Sequence, residues 1–323
     1  MNKQPIRNQK SRRRKPASRQ QPHRDERKGL PCIGVLELHA KGYGFLRNPD
    51  TGFARCENDV FVSESIIKKF MLHQGVLVTG DSATTRHGSS PRLVQVTKLE
   101  DMIPSQYVGA NRFDDRTPVN PSKWLPLERE SDEVSMRTLD LLCPIGLGQR
   151  ALIASPPRAG KTTLLKHIAK SISNNHPEIH LNALLIDERP EEVTEIREEL
   201  NGHVFASCLD KNVQSHARLS QLVIDRCKRM AETGKDVFLI VDSLTRMARA
   251  FNKLPNLSGP IGAGGFNIHA FDIPKQVFAS ARSFKEGGSL TIVATVLIET
   301  ENRMDEVIFQ VGCTISNLRQ WCV

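Results

Sequence analysis

The sequence lacks a Cys-x-x-Cys pair, and its seven cysteines are scattered along the chain. This argues against a zinc site and against a disulfide framework, and it fits a reducing cytosol. No apolar run reaches the length of a membrane span, and the N-terminus has no apolar signal-peptide core. We therefore expect a soluble cytoplasmic protein that does not associate with a membrane.

Beyond its first residues, the chain also lacks any excess of basic charge. Residues 1–28 hold eleven Lys and Arg against Asp25 and Glu26, a net charge of +9 that equals the net charge of all 323 residues. Because apolar residues are almost absent here, we predict a disordered basic arm over residues 1–29. Such an arm either holds nucleic-acid phosphates without sequence preference or acts as a solubilising tail, and we favour the first reading.

Five short apolar runs follow and predict a small all-β barrel of the OB or cold-shock type over residues 30–100. Tyr43 and Phe45 are two positions apart and so share one strand face, which Phe61 of the next run could join. Beside Lys41 and Arg47, exposed rings would form a platform on which the bases of single-stranded RNA stack. The alternative is that these rings are ordinary barrel core.

The rest of the chain predicts an α/β domain. Residues 101–130 are rich in Pro, Asn, Asp and Ser, and we predict a linker there. Over residues 131–309, apolar strands alternate with helical stretches, among them a strand at 236–242 and helices at 244–252 and 273–284. This alternation predicts a parallel sheet with helices on both faces. Ligands of such sheets bind at the carboxyl ends of the strands.

A phosphate-binding loop is predicted between the first strand of this domain and the helix that follows it. An apolar strand, a turn, Gly-Lys-Thr and a helix occur in that order. Lys161 would reach the terminal phosphates, and the Thr162 hydroxyl would hold Mg²⁺. The predicted nucleotide-binding residues are Ser155, Pro156, Pro157, Arg158, Ala159, Gly160, Lys161, Thr162 and Thr163.

Two carboxylates are predicted at neighbouring strand ends. Asp242 follows the apolar run 237–241 and would bind Mg²⁺ directly or through water. Glu188 ends another apolar strand and would act as the general base for the attacking water; alternatively it only complements a helix dipole. Arg189 either faces phosphate or pairs with Glu191 or Glu192.

Several segments together resemble the family of bacterial transcription termination factors called Rho. They are residues 155–162, Asp-Glu-Arg-Pro-Glu-Glu at 187–192, the segments 241–250 and 286–295, and Gly-Tyr-Gly-Phe-Leu-Arg at 42–47 with Asn-Asp-Val-Phe-Val at 58–62. The resemblance covers roughly residues 33–309. It implies a RecA-like ATPase domain, ATP and Mg²⁺ as cofactors, and a homohexameric ring that pulls on nascent single-stranded RNA and releases it from the RNA polymerase elongation complex.

The resemblance also implies residue roles. The catalytic set is Glu188, Lys161, Asp242 and Arg189, with Thr162 and Asp242 at the metal and Arg189 on the phosphate side. The primary RNA site would contain Tyr43, Phe45, Arg47 and Phe61. The loops at 253–265 and around 300–304, which includes Arg303, correspond to the RNA-contacting loops of the central channel of the ring.

Three departures from the family pattern bear on activity. Pro260 stands where a channel loop usually has Lys, the basic arm replaces an N-terminal helical subdomain, and residues 310–323 match nothing in the family. We expect a frameshifted or truncated product that lacks the arginine finger and hydrolyses ATP poorly. The alternative functions are an RNA- and nucleotide-binding fragment without catalysis, and a rotary-synthase subunit, against which the aromatic and basic barrel strand argues.

Overall fold

The computed structural model describes residues 29–84, 90–108, 110–128, 133–254, 259–262, 266–316 and 321–322. The predicted basic arm, apart from Gly29, lies outside this set. So do residues 255–258 and 263–265 of the segment predicted to form a channel loop.

The N-terminal domain is a closed barrel of five strands. They are β1 (Leu30–Leu38), β2 (Gly44–Arg47), β3 (Val60–Val62), β4 (Leu77–Ala83) and β5 (Arg92–Leu99), with helix α1 (Glu64–Lys69) between β3 and β4. The order around the barrel is β1-β2-β3-β5-β4, and β1 pairs with β4 to close it. Leu36, Leu46, Val62 and Val78 point inward and are buried. The predicted all-β barrel is confirmed.

The segment between the two domains packs against the larger, C-terminal domain. It contains helix α2 (Pro104–Val108) and the two-residue strand β6 (Pro118–Val119). Phe113 is fully buried, and its backbone N–H donates to Oε1 of Glu232 at 2.6 Å. Leu125 and Leu127 are buried as well. This segment therefore contributes apolar side chains to the larger domain.

The second domain alternates strands and helices. Its first elements are α3 (Val134–Leu142), β7 (Arg150–Ser155), α4 (Lys161–Asn175), β8 (His180–Glu188), α5 (Pro190–Glu199), β9 (His203–Cys208), α6 (Val213–Glu232), β10 (Asp236–Asp242) and α7 (Leu244–Asn252). The later elements are the short strands β11 (Ile261–Gly262) and β12 (Phe266–Asn267), a 3₁₀ turn (Ile268–Phe271), α8 (Asp272–Ala279), β13 (Arg282–Phe284), β14 (Ser289–Leu297), α9 (Arg303–Ile315) and β15 (Trp321–Cys322). None of the helices in the described ranges is long and apolar enough to cross a membrane.

The central sheet has two buried faces. Its parallel strands lie in the order β15-β7-β14-β10-β8-β9, and β13 adds to β14 in the antiparallel direction. Along β8, Ala183 and Leu185 join the core under α3, α4 and α5, whereas Leu184 and Ile186 join the core under α6 to α9. Successive strand residues point to opposite faces, so both faces need helical cover. The predicted parallel sheet covered on both faces is confirmed.

Two local predictions differ from the structure. The helix predicted over residues 273–284 ends at Ala279, because Arg282–Phe284 form strand β13 and pair with β14. Gly287 and Gly288, with φ of 93° and 80°, turn the chain between these two strands. Near the C-terminus, α9 continues past Phe309 to Ile315, and β15 pairs with β7.

Candidate functional site

The loop between β7 and α4 has the backbone geometry of a tight turn into a helix. Gly160 is the N-cap of α4 with φ of 84°, a left-handed conformation that favours glycine. A Cβ atom at Gly160 would meet no atom within 4 Å, so its φ rather than space selects glycine. Arg158 is also left-handed, with φ of 67°. The first N–H groups of α4 therefore open towards the loop, where the helix dipole is positive.

The start of this loop is fixed inside the domain. Ser155 is fully buried, and its hydroxyl donates to the Pro156 carbonyl at 2.9 Å. Its backbone carbonyl accepts from the Ile298 N–H at 3.1 Å. These contacts hold the loop to the carboxyl edge of the sheet.

Lys161 lies between the two predicted carboxylates. Its ammonium group donates to Oδ1 of Asp242 and lies 3.8 Å from Oε1 of Glu188. Asp242 is 1% exposed, and the Thr295 hydroxyl donates to its Oδ1 at 2.8 Å. The three side chains come from α4, β8 and β10 and meet where sequence analysis placed them, at the carboxyl ends of the strands.

Glu188 is buried without a hydrogen-bond donor. It is 2% exposed, and neither carboxylate oxygen accepts a hydrogen bond from any described residue. The nearest cationic atoms are Nε of Arg246 at 3.2 Å and Nζ of Lys161 at 3.8 Å from Oε1. Burial, and then the charge of Asp242, raise the pKa of Glu188 to about 7. A carboxyl that titrates near neutral pH suits a general base.

Arg246 belongs to this site, and sequence analysis did not find it. It lies in the first turn of α7, where its backbone N–H donates to the hydroxyl of the N-cap residue Ser243 at 3.2 Å. Its side chain pairs with Glu188 and donates to the Asp187 carbonyl. The sequence spacing could have indicated Arg246, because a residue four positions after an Asp at the end of a strand lies in the first turn of the next helix and therefore near that strand end.

The oxygen donors at the site fit a magnesium ion. Thr162 is the second residue of α4, and Asp242 supplies a carboxylate from the adjacent strand end. Hydroxyl, carboxylate and phosphate oxygens are the ligands that Mg²⁺ takes beside a nucleotide. Thr163 lies in the same helical turn. Their roles as nucleotide and metal ligands stay predictions.

Arg189 is the N-cap of α5, and its side chain is exposed. Within the described ranges it forms no ion pair, so the alternative of a pair with Glu191 or Glu192 is not realised. Its predicted place on the phosphate side stays a prediction.

On the barrel, three rings form one cluster, which we call the aromatic patch: Tyr43, Phe45 and Phe61. Their ring centroids are 5.5–5.8 Å apart. All three are half-buried and lie outside the barrel core, which consists of Leu36, Leu46, Val62 and their neighbours. His39 extends the cluster by stacking on Tyr43 at 4.5 Å. The rings are therefore available for stacking in a way that core rings are not.

The cations around the aromatic patch differ from the expected set. Arg47 is 6% exposed and is paired with Glu37 and Asp59. Its guanidinium lies 5.0 Å from the centre of the Phe45 ring, so it supports that ring from below. Arg92 is exposed and lies 5.1 Å from the centre of the Phe61 ring. Sequence analysis missed Arg92 because β5 meets β3 only through the closure of the barrel.

Arg303 lies apart from both of these regions. It is the first residue of α9 and is exposed. It borders a cavity of about 460 Å³ together with Glu299, Glu301 and Glu306. Its predicted RNA contact stays a prediction.

Two family models match the chain, one on each domain. The RNA-binding domain of the Rho termination factor matches residues 32–105. The nucleotide-binding domain of the ATP synthase alpha/beta family matches residues 135–316, which extends beyond Phe309. The boundary between the two matches falls in the segment that joins the barrel to the sheet.

Solved structures support the fold of the larger domain. An ATPase from the type III secretion system of pathogenic bacteria superposes with a TM-score of 0.54 at 24% identity, covering 64% of this chain and 57% of that one. The ATP synthase subunit NeqB from Nanoarcheaum equitans superposes with a TM-score of 0.55 at 16% identity, covering 64% and 52%. Both likenesses show that the larger domain shares its fold with these two proteins.

Curated relatives extend the likeness to both domains. The transcription termination factor Rho of Chromobacterium violaceum is 44% identical over 281 residues, which are 86% of this chain and 67% of that protein. The Rho protein of Borreliella burgdorferi is 44% identical over 86% of this chain and 54% of its own length. That of Cereibacter sphaeroides is 42% identical over 89% and 69%. The chain thus spans 54–69% of the length of these three relatives, and it belongs to the transcription termination factor Rho family.

Proposed function

We propose that this chain is a cytoplasmic RNA-dependent ATPase that binds nascent single-stranded RNA and uses ATP hydrolysis to move along it and release it from RNA polymerase. The observation that carries the proposal is the position of Glu188, a buried carboxyl 3.8 Å from the phosphate-loop lysine. Its relatives are named for transcription termination. Assembly into a homohexamer is part of the proposal, since ring ATPases complete each site with a neighbouring subunit.

In the proposed reaction, the loop and α4 hold the nucleotide. The N–H groups that follow Gly160 donate to phosphate oxygens, and the Lys161 ammonium moves from Asp242 to the terminal phosphate. Thr162 and Asp242 would hold Mg²⁺, which neutralises charge on the phosphates when bound. Arg189 lies at the N-terminus of α5, directly after Glu188 in the chain, and a contact between its side chain and the terminal phosphate is part of the proposal.

Glu188 accepts the proton of the attacking water. The raised pKa of this carboxyl makes it a stronger base than an exposed glutamate, and burial keeps bulk water away from it. Arg246 holds the carboxylate from the α7 side through its contact at 3.2 Å. The base is therefore positioned by a residue that belongs to the same strand–helix unit as Asp242.

The barrel supplies the RNA site. Bases stack on Tyr43, Phe45 and Phe61, while Arg92 provides an exposed cation at the edge of the rings. Arg47 stays within its ion pairs and holds Phe45 in place. Stacking accepts any base, so the sequence preference of this site is weak.

The test is steady-state ATP turnover by the full chain with and without a pyrimidine-rich single-stranded RNA. RNA should stimulate turnover, and Lys161→Ala should abolish it. This result would overturn the expectation from the sequence that a chain without the arginine finger hydrolyses ATP poorly. The matched control is Lys170→Ala, which removes an exposed lysine from the same helix and should leave turnover unchanged. Binding of both ATP and RNA without turnover would refute the motor and support the alternative function of a non-catalytic binding protein.

A further inference from the structure

A basic cleft lies between the barrel and the larger domain, away from the phosphate loop. The barrel side is the loop of residues 51–55, and the other side is built from the end of β9, the first turns of α6 and Arg197 of α5. The cleft has a volume of about 410 Å³, within the usual range of about 300–1,000 Å³ for ligand sites. We call it the interdomain cleft.

The interdomain cleft carries positive charge. Four cationic side chains line it, namely Arg55, Arg197, Lys211 and Arg218, and no carboxylate of the described chain is in its lining. Lys211 is paired with Asp210 at 3.0 Å, and Arg218 is paired with Glu37. Two cations therefore remain in excess, Arg55 and Arg197.

The two excess cations are accessible. The Arg55 side chain is 70% exposed, and it approaches Glu37 no closer than 3.9 Å. Arg197 is exposed and has no ion-pair partner among the residues described. The first turn of α6, capped by Asn212, adds the positive end of a helix of twenty residues. These features suit an anion better than a neutral ligand.

The interdomain cleft is continuous with the aromatic patch. Glu37 of β1 pairs in register with Phe45 of β2, and its carboxylate accepts from Arg47 on the barrel and from Arg218 on α6. One residue thus separates the ring of Phe45 from the wall of the cleft. A strand of nucleic acid that leaves the patch past Glu37 would meet Arg55 next.

The relative position of the two walls is fixed by direct contacts. Arg218 donates to the carbonyl of Phe53 at 2.9 Å, and the Phe53 ring stacks on Phe205 at 4.5 Å with an interplanar angle of 13°. Both rings are fully buried. The interdomain cleft is therefore a built surface rather than a gap between loosely joined domains.

We propose that the interdomain cleft binds the backbone phosphates of the single-stranded RNA segment that adjoins the bases stacked on the aromatic patch. Arg55 and Arg197 make the phosphate contacts, which read no sequence and weaken with salt. The proposal rests on the proposed RNA binding by the barrel and extends it from a base-stacking site to a longer path along the ATPase domain.

The experiment compares a short and a long oligocytidylate by fluorescence anisotropy with the full chain. The short one has about six nucleotides, enough for a small barrel, and the long one about fourteen. The double variant Arg55→Gln with Arg197→Gln should bind the short RNA as the parent does. For the long RNA, the slope of log affinity against log salt should become shallower by about 1.4, because each lost phosphate contact contributes about 0.7.

Controls distinguish a failure of the cleft proposal from a failure of the proposed RNA binding by the barrel. Lys170→Gln, which replaces an exposed lysine of α4 that does not line the cleft, should leave the long-RNA slope unchanged. An unchanged slope in the double variant, with intact binding of both RNAs, overturns the cleft and leaves the barrel site standing. If the parent protein does not bind the short RNA at all, both the cleft proposal and the proposed RNA site on the barrel are overturned. Binding of inorganic tripolyphosphate is measured in the same way. If the double substitution weakens the binding of tripolyphosphate but not that of the long RNA, the cleft is a site for free anions and the proposal is overturned.

Discussion

Replacing Glu188 by Gln should make the protein less active and, at alkaline pH, more stable. Folding buries this carboxyl, and its pKa rises from an ordinary value of 4.5 to about 7. Between these two pH values the folded state binds a proton that the unfolded state releases. Stability therefore falls as pH rises through this window, and above it the full cost of the buried charge is present.

The size of the effect follows from the same values. At about 1.4 kcal/mol per pH unit, the buried carboxylate of Glu188 costs about 3 kcal/mol at pH 8. Glutamine has nearly the same shape and cannot ionise, so Glu188→Gln should raise the free energy of unfolding by up to that amount at pH 8. Below pH 4.5 the two proteins should be equally stable, because the carboxyl is then neutral in both states.

The same substitution should lower RNA-stimulated ATP turnover by about 10²–10⁴-fold, the usual contribution of a general base. In the parent, turnover should rise with pH up to about 7, as the carboxyl of Glu188 becomes deprotonated. The variant should lose this acidic limb of the pH profile.

Urea unfolding at pH 5 and pH 8 checks the predicted change in stability, and ATP turnover measured on the same samples checks the predicted loss of activity. Glu198→Gln is the control: Glu198 is an exposed residue of helix α5, which follows Glu188 in the chain, and its replacement should change neither quantity. Equal destabilisation of Glu188→Gln at both pH values would refute the reasoning, because it would show that Glu188 is ionised and favourably paired with Lys161 and Arg246 throughout.

Three further predictions concern the barrel and the arm. Phe45→Ala should weaken single-stranded RNA binding by about 1–3 kcal/mol, as expected for one stacked base; unchanged affinity would return the ring to a packing role. Deleting residues 1–28, which contain eleven basic residues, should flatten the dependence of RNA affinity on salt, and an identical slope would leave only a solubilising role. Glu37→Gln should destabilise the protein by about 2 kcal/mol, below the 3–5 kcal/mol for a fully buried pair because Arg218 is partly exposed; a midpoint of urea unfolding equal to that of the parent would contradict this.

The strand ends of the ATP-binding domain were predictable from the sequence because their signals are local. The strand predicted at 236–242 and the helix predicted at 244–252 coincide with β10 and α7. An apolar run that ends in Asp and is followed by Ser-Leu-Thr reads as a strand, an N-cap and a helix. Glu188 and Asp242 lie at such strand ends, so the place where they meet could be predicted from the parallel order of the strands.

Other features depend on contacts between residues far apart in the chain. Glu37 and Arg218 are 181 positions apart, and nothing in either local sequence indicates that they meet. The burial of Arg47 was missed for the same reason, because its partner Asp59 is placed by the turn after β2. Strand β13 was missed although its signal is local. The Gly-Gly turn at 287–288 indicates a hairpin, but the helical pattern of residues 273–284 favoured a continuous helix.

The sharing of Glu37 between two arginines limits how this barrel can be exchanged between proteins. The carboxylate of Glu37 pairs with Arg47, which lies beneath the ring of Phe45, and with Arg218 of α6. A chimera that carried the barrel to another ATPase domain would leave the carboxylate of Glu37 without its partner Arg218. A chimera with a different barrel would leave Arg218 without the carboxylate of Glu37 and the carbonyl of Phe53. The barrel and the first turns of α6 therefore have to be transferred together, and the junctions of a successful chimera should lie outside both.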